Sequence, residues 1–389
     1  MASPQPRAII VGAGIAGLAA ALRLHQAGWH TTVLERAPQR RSSGYAVAFS
    51  GIGYDAAERM GVLDTLAQRR IVPDSTVYIK PSGATAFTVP GDTVRALMGS
   101  RTHNLLRGDI EDVLYQAVRP HADIRFATTA QTITQDAREV RVRLSDGTTA
   151  VADLLIGADG LHSAVRARVF GPEADYRHDL HHMAAAFMLE SPTASVSETA
   201  TATLTHRGRT LAVIGLGHGR ASAFLGYRTA DPATELADGP RTALPRAFAD
   251  MGWAAPAVLA RLRTAESVYF DTISQIRMPR WSRGRVVLLG DAAWCVTLFA
   301  GHGSALAVGG ADLLGTALED NPGDIGAALS EWEARLRPEV ERKQVLGRRV
   351  KGLYAPADPV RLWLRDLPLR MASYPWMSRL IQRHLQLER

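Results

Sequence analysis

Residues 7–35 decide the fold, and they read Arg-Ala-Ile-Ile-Val-Gly-Ala-Gly-Ile-Ala-Gly-Leu-Ala-Ala-Ala-Leu-Arg-Leu-His-Gln-Ala-Gly-Trp-His-Thr-Thr-Val-Leu-Glu. The apolar run at 7–11 ends in glycines and predicts a buried parallel strand. Residues 15–27 predict a helix that stops at Gly28, and residues 31–34 predict a second strand. Together they form a βαβ unit of about 30 residues, which is typical of an α/β fold with a parallel sheet.

Three glycines between the first strand and the helix indicate a dinucleotide site. Gly12 permits a tight turn, Gly14 lets the backbone approach a pyrophosphate, and Gly17 allows close packing of helix on strand. Glu35 at the end of the second strand can accept hydrogen bonds from ribose hydroxyls and would repel a 2′-phosphate. Alone, the pattern suits NAD as well as FAD. The contacts predicted from this unit are Gly12, Gly14, Ile15, Ala16, Gly17, Glu35 and Arg36.

Composition excludes several classes of function. The 389 residues carry a net charge of +7, but the basic residues are spread along the chain without a Lys/Arg block, so no nucleic-acid partner is expected. Cys295 is the single cysteine, which excludes an intramolecular disulfide and a cysteine-based metal cluster and fits a cytoplasmic protein. We see no signal peptide at the N-terminus and no apolar run of about 18 residues, so a membrane span is not expected.

The rest of the chain predicts an inserted sheet and terminal helices. Alternating stretches between 124 and 156 predict a strand meander that returns to the parallel sheet, and those between 176 and 275 predict an antiparallel sheet. A strand at 285–289 re-enters the first sheet. Helices are predicted at 54–68, 108–118, 241–262, from about 304, at 324–352 with an interruption at Pro338, and at 359–388. The cofactor-binding half is therefore expected to be discontinuous, covering 1–75, 100–175 and 277–320.

Two further segments accompany the glycine unit. One is Asp153-Leu-Leu-Ile-Gly-Ala-Asp-Gly-Leu-His-Ser-Ala-Val-Arg166, and the other is Gly284-Arg-Val-Val-Leu-Leu-Gly-Asp-Ala-Ala293, continuing to Ala300-Gly-His-Gly303. The three segments, in this order and at these separations, resemble the single-component flavin-dependent aromatic hydroxylases of the para-hydroxybenzoate hydroxylase type, over roughly residues 7–320. The resemblance implies a Rossmann-like FAD-binding domain of the GR2 type. Residues 76–99 and 176–276 would form a substrate-binding sheet domain, and 321–389 a helical region that bridges the two.

The resemblance also implies cofactor contacts. Asp159-Gly160 corresponds to the element that touches both FAD and a passing NAD(P)H, and Asp291 to the carboxylate that binds the ribityl chain. A reduced flavin carries negative charge at N1, which a helix start near Ser304 would stabilise. An arginine near the cofactor entrance corresponds to either Arg40 or Arg41. The contacts implied for non-covalent FAD are Arg41, Arg107, Asp159, Gly160, Asp291, Ala292, Gly301, His302, Gly303 and Ser304.

The chain departs from this family beside the expected flavin ring. Trp294 replaces a histidine, and Thr297 and Leu298 fill the positions of two prolines. Trp294 either stacks on the ring or substrate or packs beneath the loop. His302 either steadies the flavin edge and moves a proton or is a spacer, and Cys295 is either an attachment point for flavin or an unreactive core thiol. We assign no catalytic residue; His302 and Trp294 are the candidates.

The segment from Gly44 to Gly61 resembles the branch of tetracycline-inactivating and polyketide-tailoring monooxygenases. In that branch a long C-terminal helix bridges the two halves and helps to cover the substrate cavity. Residues 324–352 and 359–385 are candidates for this role. Three aromatic residues there face either ligand or core: Trp363, Tyr374 and Trp376.

The function expected from the resemblance is NAD(P)H-dependent hydroxylation or oxidative cleavage of an aromatic or polycyclic, polyketide-like small molecule. O2 would react at flavin C4a, and the hydroperoxyflavin would transfer oxygen. A flavin dehydrogenase, reductase or cyclase that inserts no oxygen is the alternative, because the prolines are lost. A non-enzymatic FAD-containing sensor is a third hypothesis. No bound metal is expected, and the protein is expected to be a monomer or homodimer.

Overall fold

The first sheet contains both strands of the segment at 7–35. The computed structural model describes residues 5–40, 45–190, 197–298, 301–356 and 358–374. Six strands lie in the order β17 (Ser282–Arg283), β18 (Val286–Leu288), β11 (Leu154–Gly157), β1 (Arg7–Val11), β2 (His30–Leu34) and β7 (Asp123–Arg125). All neighbours pair in parallel except β17 with β18. Ile10, Val33 and Ile156 are fully buried, as expected for strands covered on both faces.

Helices cover this sheet and confirm most of the predicted elements. α1 (Ile15–Gln26) packs against α5 (Arg107–Val118) and α11 (Gly303–Asp320). The single helix predicted at 54–68 was wrong: the chain forms α2 (Ile52–Arg59) and α3 (Leu63–Gln68). Gly61 separates them at φ +74°, a conformation that ends a helix. The helix predicted at 241–262 is likewise divided into α8 (Pro240–Phe248) and α9 (Ala255–Leu262).

A second, seven-stranded sheet lies beside the first. Its strands are ordered β16 (Tyr269–Ile276), β12 (Arg177–Leu189), β15 (Arg220–Arg228), β14 (Arg209–Gly217), β13 (Thr201–His206), β4 (Ser75–Ile79) and β5 (Thr85–Pro90). The predicted antiparallel arrangement holds for every pair except β13 with β4, which run in parallel. We propose that this sheet and the first sheet mark the two domains expected from the sequence.

Smaller elements complete the described fold. The meander is a separate sheet of β8 (Ala130–Gln135), β9 (Val140–Leu144) and β10 (Thr149–Ala152). A two-stranded sheet joins β3 (Ala46–Ser50) to β6 (Thr102–Leu106). The remaining helices are α4 (Gly91–Met98), α6 (Ala164–Val169), α7 (Pro232–Asp238), α10 (Asp291–Trp294), α12 (Ile325–Tyr354) and α13 (Pro359–Ser373).

The expected interruption at Pro338 was wrong, because α12 continues through it. One face of the helix is held by buried contacts on both sides of the proline, from Trp332 and Leu336 to Val340 and Gln344. This packing offsets the loss of one backbone hydrogen bond. α13 lies against β5, with Trp363 and Tyr374 more than half exposed. The predicted continuation to 388, including Trp376, lies outside the described residues.

Candidate active site

The glycine loop is tightly enclosed on its protein side. Gly12 has φ +108°, and a β-carbon on it would lie 2.5 Å from the carbonyl oxygen of Ala158. A β-carbon on Gly17 would overlap the carbonyl oxygen of Gly12. The Glu35 carboxylate accepts hydrogen bonds from the amides of Ala13 at 2.9 Å and Ala37 at 2.8 Å. The Glu35 carboxylate therefore connects the end of β2 to the loop between β1 and α1.

The opposite side of this loop is open. A β-carbon on Gly14 would meet only the Nη2 atom of Arg107, at 3.7 Å. Among the described residues no side chain caps α1, whose first turn holds Ile15 and Ala16. Arg107 begins α5 and donates a hydrogen bond to Glu111 at 2.9 Å. A cation and an uncapped helix start therefore face the same space, which suits a phosphate.

The second segment packs on the first. The backbone of Ala158 and Asp159 lies against Gly12. The Asp159 carboxylate accepts hydrogen bonds from Ser163 Oγ at 2.5 Å and from the amide of Val165 at 3.0 Å. Both carboxylate oxygens of Asp159 thus organise the start of α6. Gly160 has φ +80° and open space around it, so a direct contact of this segment with FAD would come from the backbone.

The third segment brings a carboxylate, that of Asp291, close to Arg107. A β-carbon on Gly290 would lie 2.8 Å from the β-carbon of Ala16, so this segment packs on α1. Asp291 begins α10, and its side chain is exposed to solvent. Burial raises the pKa of Asp291, against the opposing effect of Arg107. Burial and the adjacent Asp291 raise the pKa of the Cys295 thiol well above its usual value, which disfavours covalent attachment of flavin through it.

The start of α11 faces the Asp291 carboxylate. Gly301 has φ +65°, and His302 is the residue that precedes the helix. A β-carbon on Gly303 would lie 3.8 Å from Asp291 Oδ1. No side chain caps this helix among the described residues, and Ser304 lies in its first turn. The carbonyl oxygen of Ala292 accepts a hydrogen bond from the buried Arg166 guanidinium at 2.9 Å.

An aromatic cluster that includes Tyr45, Phe224, Tyr269, Leu298 and Tyr354 lies beside these residues, since the amide of Arg107 donates a hydrogen bond to the carbonyl of Tyr45. The rings of Tyr45 and Tyr269 are 5.2 Å apart, and those of Phe224 and Tyr354 are 5.8 Å apart. Burial raises the pKa of Tyr45 to about 12, with smaller effects from Arg107 and Asp291. The sequence analysis missed this cluster, because its members come from distant parts of the chain and share no motif.

The departures from the family pattern have definite places. Trp294 is 1% exposed and packs against Trp281 and Trp332, with ring distances of 4.7 and 5.8 Å. This position matches packing beneath the loop and does not support stacking on a ligand. Thr297 has φ +93°, a conformation that proline cannot adopt.

The arginines near the expected cofactor entrance are placed differently from one another. Arg40 donates to Asp112 at 2.8 Å and covers the ring of Tyr115, so it is tied to α5. Arg36 is exposed on the turn after β2, and Arg41 lies outside the described residues. In the described part of the chain, no helix is both long and apolar enough to cross a membrane, and no cluster of three potential metal ligands is present.

Comparison with known proteins identifies this arrangement. The model of a family described as "FAD binding domain" matches residues 6–321. A flavin-dependent monooxygenase of Phoma sp., eupH, is 30% identical over 351 residues, which cover 85% of this chain and 81% of that protein. The structure of tetracycline destructase Tet(51) has a TM-score of 0.83 and 26% identity, covering 98% of this chain and 97% of that one. Klebsiella pneumoniae HpxO, complexed with FAD and uric acid, has a TM-score of 0.78 and 25% identity, covering 98% and 96%.

Proposed function

Because the chain belongs to the FAD-binding family of flavin-dependent monooxygenases, we propose that it oxygenates an aromatic or polycyclic small molecule with NAD(P)H and O2. One observation carries this proposal: the aromatic cluster lies beside the residues suited to the cofactor, and we propose that it lines the substrate site, which we call the aromatic cleft. Tyr45 connects the two regions. The charges of Arg107 and Asp291 both affect the pKa of its phenol, and its ring packs against Tyr269 of β16. A substrate in the cleft would therefore lie next to the cofactor.

The residues present fit FAD. The space beside Gly14 that a β-carbon would enter, together with Arg107 and the uncapped start of α1, suits the pyrophosphate. Glu35 lies at the end of β2, where a ribose hydroxyl would be bound. We assign Asp291 to the ribityl chain and the amides of Gly301 to Ser304 to the flavin edge. Arg36, Arg41, Asp159, Gly160 and Ala292 stay proposed contacts.

The cleft favours a planar aromatic substrate with a hydroxyl or enol oxygen. Burial raises the pKa of both Tyr45 and Tyr269, so both phenols are protonated near neutral pH and can donate hydrogen bonds to a substrate oxygen. Phe224 and Tyr354 supply apolar ring surface. Relatives named for tetracycline or solved with uric acid are consistent with such a substrate.

The bound FAD, reduced by NAD(P)H, would supply the reactive oxygen through its own chemistry with O2. The chain's residues would bind and orient the substrate and the cofactor, and they would exclude water. The start of α11 stabilises negative charge on the ligand next to it, and the apolar cleft limits loss of activated oxygen to water. The reducing cytoplasm, which the single cysteine fits, would provide NAD(P)H.

A flavin enzyme that inserts no oxygen is the second candidate, and Thr297 favours it. At φ +93° its backbone differs from that of the prolines in the hydroxylases that the sequence resembles. The loop that borders the flavin site therefore has its own shape in this chain.

The test is a screen of the FAD-loaded protein against aromatic polyketides, with NADH and NADPH oxidation as the first readout. A ligand that stimulates oxidation is then incubated with ¹⁸O2, and the product is weighed by mass spectrometry. We expect one ¹⁸O atom in the product. Stimulated NAD(P)H oxidation with an unlabelled, oxidised product would support the second candidate instead. If neither NADH nor NADPH reduces the flavin with any ligand, the oxygenation proposal is contradicted.

A further inference from the structure

A second cavity of about 590 Å³ lies between α12 and the end of β16. Its wall shares no residue with the aromatic cleft. Its lining combines charged and polar side chains with apolar ones, of which Pro279 and Val345 are exposed. Nothing in the proposed oxygenation uses this cavity.

The cavity wall carries an excess of positive charge. Arg277, Arg337 and Arg348 line it, and Glu341 is the only carboxylate among its lining residues. Glu341 lies 3.7 Å from Arg337, which also pairs with Glu333. Within the described structure neither Arg277 nor Arg348 pairs with a carboxylate. Burial and the charge of Arg277 lower the pKa of Arg348, and both side chains line the same cavity.

The wall also leaves polar groups for a ligand. His178 lies beside the same two arginines, and burial and these charges lower its pKa, so it is neutral near pH 7. The indole N–H of Trp294 is buried and has no acceptor among the described residues. The guanidinium of Arg337 covers the ring of Trp281 at 4.4 Å and pairs with Glu333. Of the three arginines in the wall, Arg277 and Arg348 therefore remain without a carboxylate partner among the described residues.

We propose that this cavity binds a small organic anion with an apolar body, such as an aryl carboxylate, with its charged group between Arg277 and Arg348. A carboxylate there would offset the repulsion of the two guanidinium groups and accept their hydrogen bonds. The aryl body would cover the apolar lining at Pro279 and Val345. A bare inorganic anion would fill only part of the volume and leave this apolar surface uncovered.

The cavity is joined to the loop at the candidate flavin site by two buried amide side chains. Arg348 donates to Gln275 Oε1 at 2.8 Å, and Gln275 in turn donates to the carbonyls of Val296 and Gln344, at 3.2 and 2.8 Å. The Gln344 amide donates to the carbonyls of Ile276, Trp294 and Cys295. An anion bound to Arg348 is therefore two hydrogen bonds from the loop beside Asp291.

The test is calorimetric titration of the FAD-loaded protein with 1-naphthoate. Inorganic phosphate provides the charge without the apolar body, and 1-naphthalenemethanol provides the body without the charge. Arg277→Gln removes one of the two arginines that have no carboxylate partner among the described residues. Arg280→Gln is the matched control, since it removes an exposed arginine three positions away that does not line the cavity.

We expect saturable 1:1 binding of 1-naphthoate, weakened roughly three- to tenfold by Arg277→Gln and unchanged by Arg280→Gln. Phosphate and the alcohol should bind more weakly than 1-naphthoate. No saturable binding, or equal affinity in Arg277→Gln, would overturn the proposal, as would equal affinity for the alcohol or for phosphate. Tyr269→Ala tests the other location: if it abolishes binding while Arg277→Gln does not, the anion occupies the aromatic cleft and the cavity proposal fails.

Discussion

Tyr45 and Tyr269 lie with their ring centroids 5.2 Å apart and their ring planes inclined at 46°. Tyr45 precedes β3, beside Arg107, which we propose contacts the cofactor, whereas Tyr269 begins β16 of the seven-stranded sheet. Burial raises the pKa of both phenols, so each hydroxyl stays protonated. This ring contact joins the proposed aromatic cleft to the candidate cofactor site.

Tyr269→Ala should uncouple coenzyme oxidation from product formation. Removing the ring opens the cleft to water, which diverts activated oxygen to H2O2. Loss of the aromatic contact should also lower kcat/KM by about tenfold. The ratio of product to NAD(P)H consumed, with H2O2 measured in parallel, checks this. Tyr78→Ala is the control, because that ring stacks on Phe87 in the same sheet outside the cleft and should leave the ratio unchanged.

Gly14→Ala should weaken FAD binding without destabilising the apoprotein. Gly14 has φ −80°, and the added carbon would make only an ordinary 3.7 Å contact with Arg107, so the methyl group would enter only the space left for the ligand. Gly12→Ala should instead lower the apoprotein's Tm, since its φ is +108° and the carbon would lie 2.5 Å from Ala158 O. Apoprotein Tm and FAD Kd, measured for both variants, separate the effects. An equal loss of Tm in both would contradict the assignment of Gly14.

Asp291→Ala should lower FAD affinity by roughly tenfold or more, because a charge-assisted hydrogen bond is lost. Asp291→Asn keeps an acceptor oxygen and should lose less. The measurement is flavin occupancy of the purified protein, followed by FAD titration of the apoprotein. Wild-type occupancy in Asp291→Ala would remove Asp291 from the cofactor site.

Thr297→Pro should destabilise the protein, although proline is the residue expected there from the resemblance. Proline holds φ near −65° and cannot adopt the +93° found at this position, so we expect a loss of about 2–3 kcal/mol. Thr297→Gly tolerates the same φ and should stay within about 1 kcal/mol of wild type. Urea unfolding of both variants is the measurement. A fully stable Thr297→Pro would mean that the backbone at Thr297 is free to change.

His162 should make stability depend on pH. It bridges Asp271 at 3.3 Å and Glu173 at 3.1 Å, and Asp271 first, then Glu173, raise its pKa. Because the folded pKa exceeds the unfolded value of about 6.5, the stabilisation is complete below that pH. It is lost as pH rises through the raised folded pKa.

The check is urea unfolding of the wild type and His162→Gln from pH 5.5 to 8.5. Glu173 also pairs with Arg166 and Arg177, and both arginines stay charged over this range. The His162 side chain is half exposed, so the difference at low pH should be at most about 1 kcal/mol. A difference between the two proteins that grows with pH would contradict the sign.

Local patterns predicted the first sheet well, because the chemistry there lies in contiguous residues. The strand at 7–11 and the positive φ of Gly12 follow from one short segment. The prediction of one helix at 54–68 was wrong although Gly61 was visible in the sequence. At Pro338 the opposite happened: a helix-breaking residue was overruled by the packing of Trp332 and Val340 on either side of it.

The proposed substrate side could not be predicted from the sequence, because it depends on residue pairs that are distant in the chain. Tyr45 meets Tyr269 only after β12 and β16 have paired, and no spacing rule links the two residues. The parallel pairing of β13 with β4 is equally non-local. The sequence left two alternatives for Trp294, stacking on the flavin ring or substrate and packing beneath the loop, and its contacts with Trp281 and Trp332 match the second.

Helix α12 has a consequence for how the gene could be shortened. Every motif that predicts FAD lies before residue 321, so a truncation after α11 keeps the whole fingerprint. Yet the carbonyls of Trp294 and Cys295 receive hydrogen bonds from Gln344, and Gly347 packs on Thr297. A shortened chain would carry the recognisable cofactor sequence without the support of its flavin loop. The unit recognisable in the sequence is therefore smaller than the unit that must be inherited intact.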